Sequence, residues 1–234
     1  MALELNDVEA RVLGCLLEKA VITPDQYPLT LNALVNACNQ KSSREPVMQL
    51  DQGEVLAAAR SLQDKHMIRS DENFRSQIEK FSHRFCNTPF SDYQLEPAQY
   101  SIVTVLLLRG PRTPGELRAN SGRLHDFASN AAVMAALTTL TDGEQVIVEE
   151  LPLTPGRRDS EYMHLFAAPA RLQEVRDSRG AGIPSPRPQP STPSPAPASE
   201  PAELADMQAQ IDALKREVAA LSARLNNLES ESQG

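Results

Sequence analysis

FSHRF at residues 81–85 and YMHLF at residues 162–166 are one pattern written twice, an aromatic ring, a histidine and a phenylalanine at alternate positions. Alternation of this kind belongs to a strand, whose side chains point to opposite faces in turn. The repetition extends upstream. Val55, Leu62 and Asp64 match Val133, Leu140 and Asp142 at one constant spacing. The two aromatic phrases match at a slightly larger one, as a longer loop in the second copy requires.

In the first copy Asn6 and Glu9 have the spacing of a capping box, opening a helix with Val8, Val12, Leu13, Leu16 and Leu17 on its inner face. A second helix follows Thr30. A third starts at Asp51, with Glu54 three residues on, and carries Val55, Leu56, Ala59 and Leu62 inward. After Met67-Ile68 a polar excursion leads into the strand EKFSHRF. The second copy opens at Glu96-Pro97, where proline suits the first helical turn, and its first helix stops at Gly110-Pro111. Thr113, Pro114 and Glu116 supply the next helix start. A third helix runs through Val133, Met134, Leu137 and Leu140, and the strands QVIVEEL and SEYMHLF flank a turn at 154–158.

Three helices followed by a two-stranded hairpin is the winged-helix arrangement. The expected fold class is therefore mainly α with small β-hairpin wings (α+β), as two tandem winged-helix domains at residues 1–90 and 91–170. A disordered proline-rich linker is expected at 171–201, because GAGIPSPRPQPSTPSPAPASEP cannot bury enough apolar surface to offset its ordering entropy. Beyond it Leu204, Met207, Ile211, Leu214, Val218, Leu221, Leu225 and Leu228 alternate spacings of three and four. That is the a/d seam of a coiled coil over 202–230, and Ile211 and Val218 at a with leucines at most d positions favour a parallel dimer. An amphipathic helix docking on its own globular part is the other reading.

LTLNALVNACNQKSSREPVM (29–48), HRFCNTPFSDYQL (83–95) and LLLRGPRTPGELRANSGRLHDF (106–127) resemble signature stretches of the YceH-like family of uncharacterised bacterial proteins, over roughly residues 3–170. The resemblance implies a tandem winged-helix fold. It brings no catalytic site, cofactor or ligand with it.

The bulk numbers narrow the function. A net charge of −8 argues against a protein that coats nucleic acid indiscriminately, since such binding is driven by many cations releasing counterions. Three cysteines without C-x-x-C spacing give neither a disulfide framework nor a thiolate metal site. No apolar run is long enough to span a membrane and no signal pattern opens the chain, so a cytoplasmic protein without membrane contact is expected. P-loop, dinucleotide-fold and nucleophile-elbow motifs are absent. His66, His83, His125 and His164 have no metal-site spacing, and the equivalence of His83 and His164 in the repeat points to structural roles. Neither an enzyme nor a cofactor is expected.

A shared surface of the two copies is the remaining candidate for function. The connection before the third helix carries Asn39, Gln40, Lys41, Ser42, Ser43 and Arg44, and its counterpart NSGRLHDF carries Arg123. With Gln52, Arg75, Lys80, Arg118, Arg157 and Arg158 these are the candidate nucleic-acid contacts. The charge count is less favourable: residues 1–90 hold 10 basic and 12 acidic groups, and residues 91–170 hold 6 and 10. The leading expectation is a dimeric DNA-binding regulatory protein, and the alternative is a winged-helix module that binds protein. Electrostatics of the third helix separates them. A continuous positive strip through residues 41–44, the third helix and the wing favours DNA, and a charge-mixed or negative helix face favours the protein-binding module.

Overall fold

A computed structural model describes residues 3–72, 78–89, 91–143, 145–154 and 156–180. These residues form a mixed α+β fold of seven α-helices and two small antiparallel sheets. The first half holds α1 (Asp7–Ile22), β1 (Leu29–Thr30), α2 (Leu31–Cys38), α3 (Gln52–Asp64), β2 (Ile68–Glu72) and β3 (Glu79–His83). The second holds α4 (Pro97–Arg109), α5 (Pro114–Ser121), α6 (Asn130–Asp142), β4 (Val148–Glu150) and β5 (Tyr162–His164), and α7 (Pro169–Gly180) follows.

The helix starts fall where side chains satisfy the first free N–H groups. Asn6 Oδ1 accepts from the N–H groups of Val8 and Glu9, and Glu9 Oε2 accepts from the Asn6 N–H at 2.8 Å. Equivalent positions of the two halves do equivalent work. Thr30 caps α2 and Thr113 caps α5; Asp51 caps α3 and Ser129 caps α6. Buried residues match as well: Leu34 with Leu117, Val55 with Val133 and Leu62 with Leu140.

The first sheet has the order β1-β3-β2, with Leu29 opposite Phe81 on one side and Ser70 opposite Phe81 on the other. β1 is not legible from the sequence pattern, whereas β2 is the first strand of the hairpin. The polar stretch after Ile68 still pairs, because an exposed antiparallel strand needs only its backbone ladder and one covered face. In the second half β4 pairs with β5, and Arg112 exchanges backbone hydrogen bonds with Tyr162 at 3.1 and 2.8 Å. That bridge stands where Leu29 meets Phe81 in the first half.

The halves expected as separate domains share one continuous core. α1 packs against α2 and α3 on one side and against α4 on the other, so residues 9–18 are buried around its whole circumference. α4 is buried from Tyr100 to Leu108 in the same way. The two helices approach closely at Gly14, where an added Cβ would lie 2.9 Å from Leu108 Cδ2 and 3.1 Å from Leu107 Cβ.

Charged residues caught inside α1 each find partners, although Arg11 Nε has none among the described residues. Glu9 takes Lys65 Nζ at 2.7 Å and the Ser61 hydroxyl. Arg11 donates to the carbonyls of Cys38 and Pro46 at 3.2 and 2.6 Å. Glu18 takes Arg44. Arg11 and Glu18 fasten α1 to the end of α2 and the α2–α3 connection, and Glu9 fastens it to α3 and the residue just past it.

The linker boundary expected at residue 171 is corrected by α7. Leu172 and Val175 sit in a second apolar cluster with Leu151, Met163 and Ala167. Arg176 forks onto Glu149 at 2.8 and 2.6 Å, and Arg179 reaches Glu161 at 2.7 Å. Two apolar residues among many charges gave too weak a period to mark a helix. The rest of the linker and the coiled-coil seam, Leu204 to Leu228, lie outside the described residues.

Candidate functional site

The third helix of the first half presents a charge-mixed face. Val55, Ala58, Ala59 and Leu62 point into the core, leaving Gln52, Glu54, Ala57, Arg60 and Asp64 outside. Arg60 forks onto Glu79 of β3 at 2.6 and 2.8 Å. Lys65, just past the helix, is held by Glu9. Both cations are thus engaged, while Asp51, Glu54 and Asp64 stay exposed. Glu54 also accepts from the Asp51 N–H in the cap.

α6 presents no charge until its last residue. Asn130, Ala131, Met134, Ala135 and Thr138 are exposed, and Met134 is 39% accessible. Its sulfur lies 3.9 Å from the Tyr162 hydroxyl of β5.

The sequence-derived candidates divide into groups. Asn39 exchanges two hydrogen bonds with the Leu50 backbone, both 2.8 Å, and fixes the shape of the α2–α3 connection. Gln52 donates to Asn32 at 2.6 Å. Arg118 donates to the carbonyls of Phe127 and Ala128 at 3.1 and 3.0 Å, bracing the turn before α6. Arg157 pairs with Glu161 at 3.1 Å. Lys80 and Arg158 are exposed, without an acidic partner among the described residues. Arg75 lies outside the described residues.

Arg44 requires correction. Expected at the surface as a phosphate contact or a solvated corner, it is buried, with its side chain 0% accessible. Its guanidinium forks onto Glu18 at 3.0 and 2.6 Å and donates to the Ala37 carbonyl at 3.0 Å. Burial alone would raise the Glu18 carboxyl, but Arg44 and then Lys19 hold it below its ordinary value.

Gln40, Lys41, Ser42 and Ser43 come together with Arg123 in a cleft of 410 Å³. Lys19 and Arg109 complete its cationic lining. Neither was singled out from the sequence, although the repeat contains the signal: they are related by the spacing that relates Leu13, Leu16 and Leu17 to Val103, Leu106 and Leu107. Gln40 and Arg123 are likewise equivalent, at the spacing that relates Leu34 to Leu117. The cleft is therefore built from corresponding parts of both halves. Its two sides are tied by the Glu45 N–H, which donates to the Leu108 carbonyl at 3.0 Å, and by an ion pair between Arg112 and Glu45.

A second, more apolar cleft of 890 Å³ is lined by Val21, Tyr27, His83, Leu95 and Tyr100 among others. Tyr27 accepts the His83 backbone N–H at 2.6 Å. Burial pushes the imidazoles of His83 and His164 down to about 4, so both are neutral near pH 7. Among the described residues no group of His, Cys, Asp and Glu could hold a metal ion, and no helix is long and apolar enough to cross a membrane.

Residues 5–157 match the family model described as "Protein of unknown function, DUF480". A UPF0502 protein of Vibrio vulnificus is 44% identical over 229 residues, covering 97% of this chain and all of the relative. One from Shewanella oneidensis is 44% identical over 224 residues, covering 96% of this chain and all of the relative. One from Shewanella woodyi is 52% identical over 167 residues, 71% of this chain and 76% of the relative.

Proposed function

The chain belongs to the DUF480 family of proteins of unknown function, and we propose that it is a tandem winged-helix module whose third helices bind protein. In this reading α1–α3 with the β2–β3 hairpin form one winged-helix unit, and α4–α6 with β4–β5 form the other. A winged helix that reads DNA in the usual way lays its third helix in the major groove, between two rows of phosphates. The observation that carries the proposal is the charge on those helices. The cations Arg60 on α3 and Lys65 just past it are engaged by Glu79 and Glu9, while the carboxylates of Asp51, Glu54 and Asp64 are exposed; α6 offers no cation. Carboxylates facing phosphates repel, whereas the small uncharged face of α6 with Met134 at its centre allows close apposition of another polypeptide.

Nucleic-acid binding by a regulatory dimer is the second reading, favoured by the cations at Lys41, Lys80, Arg123 and Arg158 that have no acidic partner among the described residues. Self-association through the seam at 204–228 belongs to both readings. The deciding experiment pairs two measurements on the full chain. Co-purification after nuclease treatment should retain a stoichiometric protein partner, lost on Met134→Lys. Titration with duplex DNA and RNA at micromolar protein should show no salt-sensitive binding. Salt-sensitive binding that weakens on Arg123→Ala would replace the first reading by the second.

A further inference from the structure

The cationic cleft between the halves has an electrostatic arrangement that the fold alone does not account for. Lys19, Lys41, Arg109 and Arg123 converge on a space of 410 Å³ in a chain whose net charge is −8. Lys41, Arg109 and Arg123 have no acidic partner among the described residues. The lining contains one acid, Glu18, and it cannot neutralise them. Its two oxygens are taken by the buried Arg44 at 3.0 and 2.6 Å, and Lys19 stands 3.2 Å from the second. Like charges gathered in a partly enclosed space raise the free energy of the empty site.

Neutral donors stand among the charges. The hydroxyls of Ser42 and Ser43 and the amides of Gln40 and Asn120 line the same space. Ser43 is held there at φ 61, in the left-handed region that non-glycine residues rarely occupy. Strain of this kind persists where surrounding structure imposes it, and it accumulates at ligand sites. The size of the cleft falls within the roughly 300–1,000 Å³ of small-molecule sites. Two arginines that can fork onto oxygens, two lysines and several hydroxyl and amide donors suit a compact group with several anionic oxygens. A single carboxylate would leave most of them unanswered.

We propose that this cleft, built from corresponding residues of the two halves, binds the phosphate group of a small phosphorylated molecule. The site joins the α2–α3 connection to the ends of α4 and α5, so an occupant draws the two halves together across it. The assignment is independent of what the third helices bind.

The test is calorimetric titration of the full chain with inorganic phosphate and with pyrophosphate at fixed ionic strength, alongside a short single-stranded oligonucleotide with blocked ends. Saturable one-site binding of phosphate or pyrophosphate is expected. It should weaken about tenfold or more for each of Lys41→Ala and Arg123→Ala, the scale of a charge-assisted hydrogen bond. The control Lys80→Ala with Arg158→Ala, on exposed cations away from the cleft, should bind as the parent does. In the unaltered chain the guanidinium Nε–H signals of Arg109 and Arg123 should shift during the titration, a readout that survives even if a variant misfolds. The assignment is overturned by the absence of saturable binding, by equal affinity in the Lys41 and Arg123 variants, or by binding of the oligonucleotide alone.

Discussion

Phe85 and Phe166, the closing residues of the two repeated phrases, meet edge to face with ring centroids 5.1 Å apart and planes at 88°. Tyr93 stands beside both, at 5.0 and 5.8 Å. Corresponding residues of the two halves thus touch each other in the core, and the halves are expected to unfold as one unit. Phe85→Ala or Phe166→Ala should each cost about 3–5 kcal/mol. A double-mutant cycle with leucine should return a coupling of about 0.5–1.5 kcal/mol by urea denaturation. Additivity within about 0.3 kcal/mol would mean that the two rings do not interact.

The Arg44–Glu18 pair predicts an asymmetry between removing one partner and replacing both. Arg44→Ala leaves a carboxylate buried beside the core and should destabilise the chain by about 3–5 kcal/mol. Arg44→Met combined with Glu18→Leu removes both charges and should recover much of that loss. If the double variant is as unstable as the single one, packing by the arginine stem outweighs the charge pairing.

Much of this architecture was legible because its signals are local. Asn6, Thr30, Asp51, Thr113 and Ser129 sit at helix starts whose caps are fixed by neighbours two or three residues away. The repeat then exposed equivalent positions without knowledge of the contacts. What escaped depends on partners far along the chain. Arg44 looks like any surface arginine until Glu18, 26 residues earlier, is brought against it. β1 is two residues long and exists only because Phe81 and Lys80 pair with it. α7 depends on Leu151 and Met163 to cover its few apolar residues. Of the candidate cleft, the residues of the two connections were foreseen, whereas Lys19 and Arg109 were hidden at the ends of helices already assigned to the core.

The exposed face of α6 gives a prediction that separates interaction from stability. Met134 is 39% accessible, so Met134→Lys should change the unfolding free energy by no more than about 0.5 kcal/mol. If α6 is a docking face, the same variant should lose the co-purifying partner, because a lysine ammonium would be desolvated at the centre of the contact. Retention of the partner at unchanged stoichiometry would move the contact elsewhere.

The two equivalent histidines set the stability of the chain below neutral pH. His164 is buried and accepts the Phe166 N–H at Nδ1, 3.3 Å away, whereas the buried Nδ1 of His83 has no hydrogen-bond partner among the described residues. Burial lowers both from 6.5 to about 4. Above about pH 6.5 the imidazoles are neutral in the folded and unfolded states alike, and they add no pH dependence. Between about 6.5 and 4 the unfolded chain takes up protons that the folded chain refuses, so stability falls as pH falls. The full effect, reached below about pH 4, is on the order of 3 kcal/mol per histidine. Glu9 and Glu18, held below their ordinary 4.5, act in the same direction only at lower pH, so the histidine contribution is measured above about pH 5. Urea midpoints should therefore drop between pH 7 and about pH 5. His164→Asn, which keeps a side-chain acceptor for the Phe166 N–H without a titrating ring, should flatten that slope. An unchanged slope in both His164→Asn and the corresponding His83→Asn would show that these imidazoles titrate normally in the folded chain.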